Sequence, residues 1–223
     1  ASKQTRMDYY TLIASLPALP PHFGVERTPV SRPRLRQLLK QLTEEDADTI
    51  HQLTRFFSWD RQLLDQSEDD IARRYDELMQ NHQTMIRQIV SLRINVRTIV
   101  AALRCRRDDL APPTAVGELV EPIRRNWNHP TFGLSHRYPW IETFSDHMLA
   151  GETARADRTL FEYTWQTWSR MAAQYTFSFE AVPLYVARWE IVDRWTSRDM
   201  DAGKERFEQL THEALGEYAE LQF

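Results

Sequence analysis

Glycine is scarce in this chain, 6 of 223 residues against 11 prolines. Tight hairpins and phosphate-cradling loops draw on glycine, and no Asn-Gly or Asp-Gly turn separates two alternating runs. What remains is material for helices interrupted by proline. Cysteine is rarer still: the lone Cys105, set between Arg104 and Arg106, excludes an internal disulfide and suits a reducing compartment. No apolar run reaches the roughly 18 residues of a transmembrane helix. Surplus positive charge is also missing. The formal net charge is -4, which argues against general nucleic-acid binding. The apolar stretch from Tyr9 to Leu19 has no strongly cationic lead and is cut by Pro17, so it does not read as a secretory leader. A soluble cytoplasmic protein is expected.

The residues present in quantity form helical patterns. In "SRPRLRQLLKQL", Ser31 is placed to cap a helix and Pro33 to occupy its first turn. In "TEED", Thr43 and Asp46 have capping-box spacing, and Ile50, Leu53, Phe57 and Leu64 follow at helical intervals. "SEDD" repeats the start signal before Ile71. The clearest period lies in "MIRQIVSLRINVRTIVAALRCRR", where Met85, Ile89, Leu92, Val96, Ile99 and Leu103 alternate by four and three. Five prolines from Pro112 to Pro139 then break the pattern into a long connection with room for one short helix. Helices are expected again over Trp140–Leu149, about 152–174, and about 201–218. Between the last two, "FEAVPLYVARWEIVDRWTS" is apolar around most of its circumference, with Val182, Tyr185, Trp189 and Val192 on one side, and belongs in the middle of a bundle. The fold class is therefore all-α: one domain over 1–223, with two helical layers (about 1–108 and 138–223) joined by a proline-rich connection at about 109–137.

No catalytic constellation stands out. The 7 histidines are scattered, none four residues from another, and no HExxH or Cys/His cluster exists. GxSxG, Walker and GxGxxG loops are missing as well. Asp69, Asp70 and Asp76 loosely resemble a magnesium-diphosphate helix, but carboxylates at a helix start are already explained by the helix dipole. No catalytic residue, cofactor or metal ligand is read from the sequence. Charged and aromatic residues with interface potential remain. Arg93, Arg97, Arg104 and Arg107 share a narrow stripe beside the apolar seam, either a solvated flank or a surface for an acidic partner. Arg188, Glu190 and Arg194 are charges on a helix read as buried, so they either pair internally or face a partner protein. Tyr9 and Tyr10, with Leu12 and Leu16, form a short element docked on the bundle and ended by Pro17, Leu12 and Leu16 being its buried side.

Four phrases in fixed order carry a resemblance: "MDYYTLIASLPAL", "SWDRQLLDQ" around Asp60, "HPTFG" at His129 to Gly133, and "LYVARWEIVDRW" followed by "DAGKERFEQL". They resemble an uncharacterised bacterial family encoded within V-type ATPase operons, at the place where the gene for the C (or d) subunit normally lies. That subunit is an all-helical socket on the rotor ring that receives the central shaft. The resemblance implies a reduced, non-catalytic counterpart of it. Its partners would be the central shaft and rotor ring, with no nucleic acid, and the membrane would be reached only through the complex. The expected location is cytoplasmic, peripheral to the inner membrane. The other non-catalytic class compatible with the pattern is an all-helical maturation chaperone for a redox enzyme.

Overall fold

In the computed structural model, which describes residues 2–57, 68–113 and 116–198, every regular element is a helix. The order is α1 (Ser2–Ser15), α2 (Arg32–Leu39), α3 (Glu44–Phe57), α4 (Glu68–Met79), α5 (Thr84–Arg107), α6 (Val120–Arg125), α7 (Trp140–Leu149), α8 (Thr153–Ala172) and α9 (181–198). The all-α class is as expected. The helix expected at about 201–218 and the "SWDRQLLDQ" motif lie outside the described residues.

Local chemistry sets the helix starts. Ser31 is extended ahead of α2 with Pro33 in the first turn, although its hydroxyl makes no capping bond. At α3 one half of the capping box forms: the Asp46 amide donates to Thr43 Oγ1 at 3.3 Å, while Asp46 Oδ2 takes the Thr43 hydroxyl at 2.8 Å in place of the Thr43 amide. Helices α7 and α8 make an antiparallel hairpin whose turn contains Gly151 at φ +73°. His147 Nδ1 and Glu152 Oε2 meet there at 2.7 Å.

The 24 residues of α5 form the spine. Its buried side chains cover more than a narrow seam. Ile86, Val90 and Ile94 are buried beside Met85, Ile89, Val96, Ile99 and Leu103, while Leu92 is only half-buried. The first half packs in a large cluster with Leu12 of α1, Leu53 and Phe56 of α3, Trp165 and Trp168 of α8, and Val182 and Val192 of α9. Its second half packs with Ile123, Phe132, Tyr138, Ile141 and Phe144. Residues from both sides of the proline-rich stretch thus meet in one cluster.

That stretch is ordered by specific bonds rather than by periodicity. In "HPTFG", His129 Nδ1 accepts from the backbone amides of Thr131 (3.2 Å) and Gly133 (3.1 Å). Phe132 (φ 53°) and Gly133 (φ 70°) turn the chain, and the Phe132 ring is fully buried against Trp127. Arg106 then ties the turn to the end of α5, donating to the carbonyls of His129 (2.8 Å) and Pro130 (2.6 Å) while lying over the Phe132 ring. Further along α5, the Asn95 amide donates to Glu118 Oε1 and to the Tyr138 hydroxyl, each at 2.9 Å.

Gly117 allows this approach. Its φ is +108°, and a Cβ built on it would lie 2.6 Å from Ile94 Cγ2, a side chain that is itself buried. Gly117→Ala combines backbone strain with overpacking and is expected to cost about 2 kcal/mol. A urea melt followed by far-UV circular dichroism checks this, and a midpoint equal to that of the parent chain would contradict it.

Candidate functional site

Polar chemistry in the described residues concentrates on α9, because this helix carries charge into the interior. Pro183 is accommodated in its first turn, where no intrahelical donor is needed. Val182, Leu184, Tyr185, Val186, Ala187, Trp189, Ile191 and Val192 are all buried, which meets the expectation of a central helix. Its charged residues divide between two flanks.

One flank faces the segment before α2. Trp189 Nε1–H donates to the Val30 carbonyl at 2.9 Å, and the Tyr185 hydroxyl donates to the Pro17 carbonyl at 2.8 Å. Arg32 reaches down from α2 and binds Glu190 through both guanidinium nitrogens, at 2.9 and 3.2 Å, and Asp193 at 2.5 Å. Its guanidinium also lies over the Trp189 ring, 4.9 Å from the centroid. The three charged side chains retain only 24, 10 and 18% exposure, so each ion is shielded from water and held by the others. Glu190 is thus an internal partner, one of the two outcomes the sequence left open.

The neighbouring flank, with Glu190 shared between the two, borders a cavity of about 90 Å³ between α5, α8 and α9. Arg93, Arg194 and Arg198 line it with Asp157 and Glu190, against apolar walls from Val96, Phe161 and Ile191. Arg198 pairs with Asp157, and both Arg194 and Arg198 lie over the Phe161 ring. Burial, reinforced by Arg97, holds Arg93 down to about 10. Burial and then Arg198 hold Arg194 at about 10 as well. Both stay protonated at neutral pH, so the cavity offers fixed positive charge for ion pairing rather than a proton donor or acceptor.

The arginine stripe of α5 therefore splits. Arg93 and Arg97 are half-buried, and Arg93 faces α9 instead of forming a solvated flank, because α9 crosses the spine there. Arg104 and Arg107 are exposed at the helix end, where basic groups oppose the dipole favourably, and Arg107 pairs with Asp108 at 2.7 Å. The two tyrosines also part. Tyr10 is 56% exposed and leans on the exposed Phe177, ring centroids 4.5 Å apart. Tyr9 is a core residue against Phe179 and cannot meet a partner in the folded chain, because its face of α1 is the one that docks. Leu12 is fully buried on that face, whereas Leu16 is only partly buried. Arg188 is half-buried beside Tyr185, and burial lowers its pKa. Arg32 is the member of the charged row that the sequence reading missed. Its distance from α9 along the chain left no local signal.

Burial pushes the Tyr185 phenol up to about 12 from its ordinary 10. An unfolded chain ionises this phenol near pH 10, while the folded one keeps its proton to about 12. Stability that is fully present below pH 10 is therefore lost as pH rises through that window. Tyr185→Phe is expected to flatten the alkaline slope relative to the parent and to cost about 1 kcal/mol at neutral pH for the lost bond to Pro17. Arg93 and Arg194 contribute equally to both chains, so the difference isolates the phenol. Parallel pH profiles for the two chains would refute the assignment.

Among the described residues no group of three or more histidine, cysteine, aspartate or glutamate side chains is placed to hold a metal ion, and no helix is long and apolar enough to cross a membrane. Fold and site together define an all-helical protein with an apolar core, whose central helix carries part-buried ion pairs on its flanks. Residues 60–215 match the family described as "Protein of unknown function (DUF2764)", which covers more than two thirds of the chain. The chain belongs to that family. No curated protein and no solved structure matches it. The HPTFG turn and α9 fall within the matched residues, whereas Tyr9, Tyr10 and Arg32 precede them.

Proposed function

We propose that the chain is a non-catalytic subunit or assembly factor of a bacterial V-type ATPase, a reduced counterpart of the C/d subunit that links the central shaft to the rotor ring. The observation carrying this reading is the ordered set of four motifs that resembles the family encoded in V-type ATPase operons. The all-helical fold is of the kind such a socket uses. Polar chemistry at α9 also supports it: ion pairs of arginines and carboxylates tie this helix to α2 and α8, as a coupling element without chemistry of its own requires. Exposed Tyr10 with Phe177, and Arg104 with Arg107 at the end of α5, are surfaces on which shaft or ring would rest.

The test is a pull-down of the tagged chain from detergent-solubilised native membranes, with the bound proteins identified by mass spectrometry. Central-shaft and rotor-ring subunits are expected in the eluate. Their consistent absence, with the chain recovered alone or with an unrelated redox enzyme, would sink the proposal. The second result would place it with the maturation chaperones.

A further inference from the structure

We infer that the groove between α2 and α3 is a docking site for an acidic amphipathic helix of a partner protein. This inference does not rest on the ATPase reading.

The groove has a volume of about 620 Å³. Its floor is aliphatic, with Leu39 and Ala47 half-buried over the buried Leu42 and Ile50. The α2 rim is basic. Arg32, Arg36 and Lys40 recur every four residues along α2 and its C-cap, and therefore form one row on that helix. His51 and Arg55 have the same spacing on the facing wall from α3. Among the described residues no carboxylate lines the groove; Glu44, Glu45 and Asp46 of α3's first turn lie outside its lining.

The two ends of the α2 row differ in what they do. Arg32 is committed to Glu190 and Asp193, which fixes that end of the helix to the core. Arg36 and Lys40 are exposed. An apolar floor beside a basic row is the negative image of a helix whose apolar stripe is bordered by Glu and Asp. The lining stretch of α3, from Ala47 to Arg55, gives a wall about 13 Å long, enough for about two and a half turns of such a helix. Nucleic acid fits less well. The floor gives bases no aromatic platform, and the chain as a whole carries net charge -4.

The probe is a fluorescein-labelled Leu/Glu amphipathic peptide of about 15 residues, titrated against the full chain by fluorescence anisotropy. Its comparison is the same peptide with Lys in place of every Glu. Saturable binding of the acidic peptide alone, weakened by salt, is expected. The variant Arg36→Glu/Lys40→Glu should reduce its affinity by about tenfold. Arg124→Glu/Arg125→Glu, at exposed positions on α6, should leave it unchanged. Circular dichroism melts confirm that both variants are folded. Equal binding of the two peptides overturns the inference, as does an acidic peptide that fails to saturate. So does an unchanged affinity in the α2 variant, an equal loss in the α6 control, or displacement of the acidic peptide by a single-stranded oligonucleotide. A positive result here can coexist with a pull-down free of ATPase subunits, and a negative one with a pull-down that contains them, so the two proposals fail separately.

Discussion

Trp189→Ala is expected to lower the unfolding free energy by about 3–5 kcal/mol, roughly a fifth or more of the total for an ordinary domain. The indole is 1% exposed and closes a small cluster with Val30, Leu35 and Tyr185. Its loss leaves a large cavity under Arg32, whose guanidinium now rests on the ring. It also orphans the Val30 carbonyl, which accepts the indole N–H at 2.9 Å. Trp189→Phe separates the two effects. It keeps most of the apolar volume and loses the hydrogen bond, so a cost of about 1–2 kcal/mol is expected. Urea titration with linear extrapolation measures both. A Trp189→Ala chain within about 1 kcal/mol of the parent would mean that the segment before α2 is not anchored through this residue.

That anchoring shows where the sequence is legible and where it is not. Helices α3, α7 and α8 can be read because their signals are local: the Thr43–Asp46 box, Pro139 ahead of Trp140, and apolar spacing within one element. The central character of α9 is legible for the same reason, since a helix apolar all round has to be enclosed. What the partner of each charge would be is a different kind of question. Arg93 and Arg104 belong to one stripe of one helix, yet α9 crosses over the first and not the second. Tyr9 and Tyr10 are neighbours, and only the docking direction of α1 decides which is core. The α2–α3 groove was invisible because it arises from the packing of two helices, each of which alone reads as an ordinary basic or amphipathic segment.

The HPTFG turn shows a different limit. Broken periodicity from Pro112 to Pro139 reads as a long connection with one short helix, and α6 is that helix, but it does not reveal that Ile123, Phe132 and Tyr138 are among the least exposed residues of the described chain. Periodicity detects an apolar face that repeats along a regular element, and this segment is irregular: His129 Nδ1 takes its amides and Arg106 its carbonyls. A histidine, an aromatic residue and a glycine within five residues were the available signal.

Removal of residues 1–21 should then cost more than any surface change, and at least as much as Leu12→Ala, about 3 kcal/mol. Leu12 is fully buried in the large cluster with Tyr9, and both leave with the segment. Two anchoring acceptors go as well: the Pro17 carbonyl, which takes the Tyr185 hydroxyl, and the Pro21 carbonyl, which takes Trp165 Nε1–H at 3.3 Å. Each lost bond adds about 1 kcal/mol unless water reaches the freed donor. The chain entropy recovered by deleting an ordered segment acts in the opposite direction, so the point variant and the deletion have to be measured together. Leu12→Ala and the deletion are expected to fall on the same side of the parent, with the deletion lower in melting temperature. If the deletion melts with the parent while Leu12→Ala melts below it, α1 is an ornament whose docking only matters when it is badly made. If both melt with the parent, the segment from Tyr9 to Pro21 has no part in holding α9 in place, and the interior ion pairs must be supported by α2 and α5 alone.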